Sequence, residues 1–241
     1  MLYLIGLGLN ERSISKEALE IIPRCKRVYL ENYTVDFPYT EQQLVDEIGK
    51  KVILADREKV ESLEIVDEAR KMDVALLVYG NPLTATTHIT LIQEAMLSGV
   101  KYRVINNASI LDAIGETGFQ LYKFGKITSM PEWKKSYEPD SFMEVIKENQ
   151  SIKAHSLILI DIGLDIKKAV EQLEKAAKKY DVKLGKLVVC QCLGTKRQKI
   201  LYRDISEIRE FSGVQKPYCI IIPGELHFLE KEFLKIFEGR E

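Results

Sequence analysis

Val74-Ala75-Leu76-Leu77-Val78-Tyr79 is an unbroken apolar run that ends on Gly80-Asn81-Pro82. A run of that length with no alternation cannot be a strand with one wet face. It reads as a central strand of a parallel sheet, covered on both sides by helices. The chain opens in the same way. Leu2-Tyr3-Leu4-Ile5 runs into Gly6-Leu7-Gly8-Leu9. Two buried strands that each end in a tight loop of small residues constrain the fold to an open α/β sheet. In such sheets ligands lie beyond the carboxyl ends of the strands.

The intervening sequence supplies the helices. Ser15 precedes a helical stretch that Pro23 limits, and Val28–Leu30 is a second strand. Thr40 and Gln43 have the spacing of a capping box, with Gly49 as the stop. Val52–Leu54 is a third strand, Ser62–Lys71 an amphipathic helix, 87–98 a helix closed by Gly99, and Tyr102–Ile105 a further strand. Repeated β-α-β units predict a mostly parallel sheet.

After the polar break at Asn106-Asn107 the pattern changes. Leu157–Ile162, Leu187–Cys192, Lys199–Arg203 and Tyr218–Ile222 read as strands. Ile166–Tyr180 reads as a long amphipathic helix, and 225–237 closes the chain. The expectation is two α/β domains, 1–107 and 108–241, the second with a mixed sheet, and a ligand cleft between them.

Composition narrows the partners. With 35 basic and 36 acidic residues the net charge is −1, which gives no electrostatic pointer to nucleic acid. No apolar run has the length of a membrane span, so a cytoplasmic location is expected. Cys25, Cys190, Cys192 and Cys219 form no C-x-x-C pair and read as small core side chains; no metal is expected.

Gly6-x-Gly8 fails the dinucleotide fingerprint, because Glu11 stands where the third glycine belongs. No P-loop, nucleophile elbow or zinc-protease motif is present, and no carboxylate pair stands out. Thr84-Ala85-Thr86-Thr87-His88 offers hydroxyls and backbone N–H groups ahead of a helix, suited to a polar ligand. His88 reads either as part of that site or as a hydrogen-bonded structural residue. Lack of acid–base machinery suits transfer from an activated donor, where positioning supplies the rate. No catalytic residue is assigned.

These segments carry a resemblance. Leu2–Leu9, Gly80–His88, Asn107–Ile110 with Gly115–Gly118, Leu121-Tyr122-Lys123-Phe124-Gly125-Lys126 and Pro217–His227 together resemble the diphthine synthase family. That family lies within the tetrapyrrole-methylase-like group of S-adenosylmethionine methyltransferases. The resemblance implies a two-domain homodimer that holds S-adenosyl-L-methionine and releases S-adenosyl-L-homocysteine. The implied substrate is translation elongation factor 2, at a histidine carrying a 3-amino-3-carboxypropyl group whose amine is methylated up to three times. It also implies cofactor contacts at Leu9, Asn81, Thr84, Ser109 and Ile110, and at Ile160, Leu193 and Tyr218. The family usually has Asp where this chain has Asn81, which keeps the hydrogen-bonding shape and drops a charge near a sulfonium. Residues 127–150 and 161–166 look trimmed against the family. Trp133, Lys134 and Lys135 could help dock a protein substrate or form a solvated basic loop. The alternatives are a tetrapyrrole or precorrin methyltransferase and a non-catalytic S-adenosylmethionine-binding module.

Overall fold

The computed structural model describes residues 1–211 and 213–239. The chain packs as two compact units, Met1–Ala113 and Ile114–Glu241. The division falls a few residues after the expected break at Asn107.

The first unit carries β1 (Leu2–Gly6), β2 (Arg27–Glu31), β3 (Ile53–Ala55), β4 (Val74–Val78) and β5 (Tyr102–Ile105) in the spatial order β3-β2-β4-β1-β5. Every pairing is parallel, so all five carboxyl ends meet at one edge. The two strands singled out by their apolar runs lie side by side at the middle. All five residues of β4 are buried, and the pleat sends them alternately to two cores. Val74, Leu76 and Val78 join one cluster, Ala75 and Leu77 the other. That two-sided burial is why the run has no polar alternation.

Local signals set the helices. Ser15 accepts from Ala18 N and starts the helix Lys16–Ile21. Thr40 and Gln43 form the full capping box of Glu41–Ile48, and Gly49 ends it at φ 65°. The helix expected over Ser62–Lys71 is present as Glu64–Ala69, and a short helix that was not foreseen precedes it. Asp56 caps Arg57–Glu61, Leu63 takes a left-handed conformation at φ 63°, and Glu64–Ala69 follows.

The second unit carries β6 (Thr128–Met130), β7 (Ser156–Ile160), β8 (Lys186–Gln191), β9 (Lys199–Asp204) and β10 (Tyr218–Ile222), ordered β6-β7-β10-β8-β9. β6 and β7 are parallel and the other pairings antiparallel, so the sheet is mixed as expected. The helix Ile166–Tyr180 buries Ala169, Val170, Leu173, Ala176 and Ala177 against it. Strand β6 and the helices Ser141–Ser151 and Ile205–Glu210 were not foreseen. β8 stops at Gln191, and Cys192 turns out of it at φ 46°. All four cysteines are buried thiols.

Candidate functional site

The two glycine loops that follow β1 and β4 are joined to each other. Gly8 N–H donates to Gly80 O at 3.1 Å and Gly80 N–H to Gly8 O at 2.9 Å. Both glycines have φ near +70°, where a side chain is strained. A Cβ on Gly6 would stand 2.6 Å from Gly80 O, and one on Gly8 2.5 Å from Ser13 Cβ. The glycines are therefore required by loop-to-loop packing. Room for a ligand against the backbone, the sequence-level reason for them, is not what the contacts around Gly6 and Gly8 show.

Asn107, just beyond β5, ties this edge together. Its Nδ2 donates to Gly6 O at 3.1 Å and Ser13 O at 2.9 Å, and its Oδ1 accepts from Ala108 N at 2.8 Å. Sequence reading counted it as part of a motif and missed it as a hub. The signal was its place: a pair of amides, Asn106-Asn107, at the carboxyl end of the strand beside β1.

The expected residues of this unit collect around that hub. Leu9 is buried, and its carbonyl accepts from Tyr79 Oη at 3.1 Å. Asn81 Nδ2 donates to Asn106 Oδ1 at 3.1 Å and Asn107 O at 3.2 Å, while its Oδ1 accepts from Leu83 N at 3.1 Å. A carboxylate in that place would have no proton for Asn107 O. The amide of Asn81 is thus a knitting residue of the loop. Thr84 donates its N–H to Asn81 O at 3.2 Å, and its hydroxyl has no partner among the described residues. Ser109 caps the helix Ile110–Ala113: its Oγ accepts from Leu111 N, and Asp112 Oδ2 accepts from Ser109 N at 2.7 Å. Ile110 is the first residue of that helix, half-buried.

His88 is 1% exposed. Its Nδ1 lies 3.0 Å from Pro82 O, and Thr86 Oγ1 donates to the same carbonyl at 2.7 Å. Its Nε2 is buried with no partner among the described residues.

In the second unit, Ile160, Leu193 and Tyr218 also fall together. β7 and β8 each run antiparallel to β10, so the carboxyl ends of the first two and the start of the third share one edge. Tyr218 pairs with Gln191, and Cys219 with Leu159. Leu193 is buried beyond β8. Tyr218 is buried, its Oη donating to Leu164 O at 3.1 Å, and burial pushes its phenol up from 10.0. These side chains offer apolar walls, which suits a flat aromatic ring.

The opposite edge of that sheet bears a cavity of about 610 Å³ lined in part by Tyr122, Lys123, Lys153, Glu225, His227 and Phe228. Behind it Glu230 is fully buried. Lys123 Nζ donates to it at 2.6 Å, Gln120 N at 2.9 Å and His227 N at 2.7 Å. His155 Nδ1 accepts from Gly224 N at 2.8 Å, which leaves Nε2–H to donate to Glu230 at 3.1 Å. Burial alone would push Glu230 up. Lys123, the two backbone donors and His155 outweigh it and hold the carboxyl at about 2. The Tyr122–Lys126 and Pro223–His227 motifs meet here. Trp133, a docking candidate, is tied down: its Nε1 donates to Pro139 O at 2.9 Å and its ring packs on the core. Lys134 and Lys135 are exposed.

Among the described residues, no helix is long and apolar enough to cross a membrane. The sequence pattern of the Tetrapyrrole (Corrin/Porphyrin) Methylases matches residues 1–209. A diphthine methyl ester synthase of Yarrowia lipolytica is 37% identical over 98% of this chain and 89% of its own length. The diphthine synthase of Methanocaldococcus jannaschii is 35% identical over 98% of both chains. A crystal structure of a diphthine synthase superposes with a TM-score of 0.89 at 30% identity, over 98% of this chain and 95% of the other.

Proposed function

Because this chain belongs to the diphthine synthase family of the tetrapyrrole methylases and is an S-adenosylmethionine-dependent methyltransferase, we propose that it methylates translation elongation factor 2 in diphthamide biosynthesis. The acceptor in this reading is the amine of a 3-amino-3-carboxypropyl group already attached to a histidine. The observation that carries it is whole-length similarity to proteins named diphthine methyl ester synthase or diphthine synthase. The loop edge agrees: a bridged pair of strand-end loops, with a Thr84 hydroxyl that has no partner among the described residues, fits a polar cofactor.

When bound, S-adenosylmethionine supplies an electrophilic methyl group on a sulfonium, which the neutral amine attacks in line. Leu9, Asn81, Thr84, Ser109 and Ile110 would hold the cofactor from the first unit, largely through backbone groups and the Thr84 hydroxyl. Ile160, Leu193 and Tyr218 would supply apolar walls from the second. No side chain is assigned as a base; in the first two transfers the methylated nitrogen gives a proton to solvent, and in the third it has none to give. Methylation of the nitrogen ends at three methyl groups, because the quaternary product has no lone pair. The protein works as a cytoplasmic homodimer in this reading.

The test is the intact mass of elongation factor 2 before and after reaction. Precursor carrying the aminocarboxypropyl group should gain whole methyl increments, up to three, while unmodified factor gains none. Label transferred only to a precorrin sinks the assignment. Fragmentation of the product separates methyl on nitrogen from methyl ester on the carboxylate.

A further inference from the structure

His88 is the one buried imidazole of the first unit, and the reaction above gives it no part. A carbonyl oxygen can only accept, so the His88–Pro82 contact makes Nδ1 the donor. In the neutral ring Nε2 then holds the lone pair, and it is buried without a partner among the described residues. A buried acceptor left unpaired costs free energy. The ring is held in that place by what its other nitrogen does.

What it does is fix one peptide. Pro82 O takes two donors, Nδ1 of His88 and Oγ1 of Thr86. Pro82 lies between Asn81 and Thr84, whose backbones are joined by Thr84 N to Asn81 O at 3.2 Å. Ala85 follows at φ 55°, a left-handed conformation for a residue with a side chain. A strained turn of this kind persists only where its surroundings over-determine it. Proline has no N–H, so the loop lacks one backbone donor at this point, and the two side chains bonding to the proline carbonyl come from the end of the same loop.

We propose that His88 is a positioning residue: its Nδ1–H locks residues 80–88 in the shape that presents Asn81 and the Thr84 hydroxyl to the cofactor. The proposal rests on the reading of this edge as an S-adenosylmethionine site. It also makes a claim about the loop that holds with no ligand present.

Asparagine carries its amide N–H near the place of Nδ1, whereas glutamine carries it near that of Nε2. His88→Asn should therefore keep the bond to Pro82 O, and His88→Gln and His88→Ala should lose it. Two readouts are used: hydrogen–deuterium exchange of the segment 80–88 without ligand, and calorimetric binding of S-adenosylhomocysteine. His88→Ala is expected to speed exchange in 80–88 and to weaken binding about tenfold, the worth of one hydrogen bond at a buried site. His88→Asn should restore both to within roughly threefold of the parent on the same scale.

Unchanged exchange in His88→Ala overturns the proposal whatever the ligand does. So does a His88→Asn protein that folds and binds as poorly as His88→Ala. If the alanine variant does not fold, Asn against Gln decides, and equal behaviour of those two overturns it. A parent protein that binds no S-adenosylhomocysteine defeats the reading of the site and with it the link to the cofactor, while the exchange data still report on the loop lock.

Discussion

The loop edge of the first unit and the corner behind the cavity of the second are held by different kinds of bond. At the loop edge the ties are neutral: Gly8 with Gly80, Asn107 with Gly6 and Ser13, Asn81 with Asn106 and Asn107. At the corner they run to a buried charge, Glu230, from Lys123, His155 and two backbone N–H groups. Neutral amides hold shape at any ordinary pH and add no net field. In the proposed reading a sulfonium sits there and loses its charge during reaction, and a neutral setting suits that. A buried ion pair is a poor source of net stability but is costly to break from one side. It suits a joint that keeps distant segments in register: residues 120–123, His155 and residues 224–230.

The largest expected effect breaks that joint. Lys123→Met strands the Glu230 carboxylate and should cost about 3–5 kcal/mol, the range for a buried pair that loses one partner, read by urea unfolding. A loss under about 1 kcal/mol would mean that the pair behaves as a surface bridge and that the contrast between the two regions is empty.

The same joint should be acid-sensitive. Burial lowers His155 below its ordinary 6.5, so the stability tied to its neutral form is present above that pH and drains as pH falls below it. Glu230 is held at about 2 against an ordinary 4.5. Its contribution is full above 4.5 and is lost as pH falls from there toward 2. Glu230→Gln should thus be less stable than the parent at pH 7, and the gap should close through that window in urea titrations. A gap that stays constant to low pH would show that the carboxylate is not what Glu230 contributes.

What the sequence made legible follows the same divide. The central strands, the capping box at Thr40 and the glycine loops after β1 and β4 are local patterns, and each is written in consecutive residues. Five expected site residues lie in the first unit at the carboxyl edge, and three meet at one edge in the second. The joint could not be read, because His155, Glu230 and Lys123 are scattered across the chain and each looks ordinary alone. β6 was missed for a related reason. Thr-Ser-Met has no pattern of its own and is a strand only because β7 offers it a parallel partner. Asn81 looked like a lost charge from sequence. In the structure its amide does work that Asp could not, donating to Asn107 O.

A smaller effect tests the neutral side. Asn107→Ala removes donors to Gly6 O and Ser13 O and the acceptor for Ala108 N. The orphaned carbonyls lie at a sheet edge where water can partly replace the amide, so the cost should be about 1–3 kcal/mol. For a protein of this size that is a fall in Tm of roughly 2–4 °C per kcal/mol. No ionisable group is among the bonds removed, so the fall should be the same at pH 7 and at pH 5. Glu230→Gln, by contrast, should change with pH across the lower part of the acid range. A decrement for Asn107→Ala that shrinks with acid would tie the loop edge to a titrating group and remove the distinction drawn between the two regions.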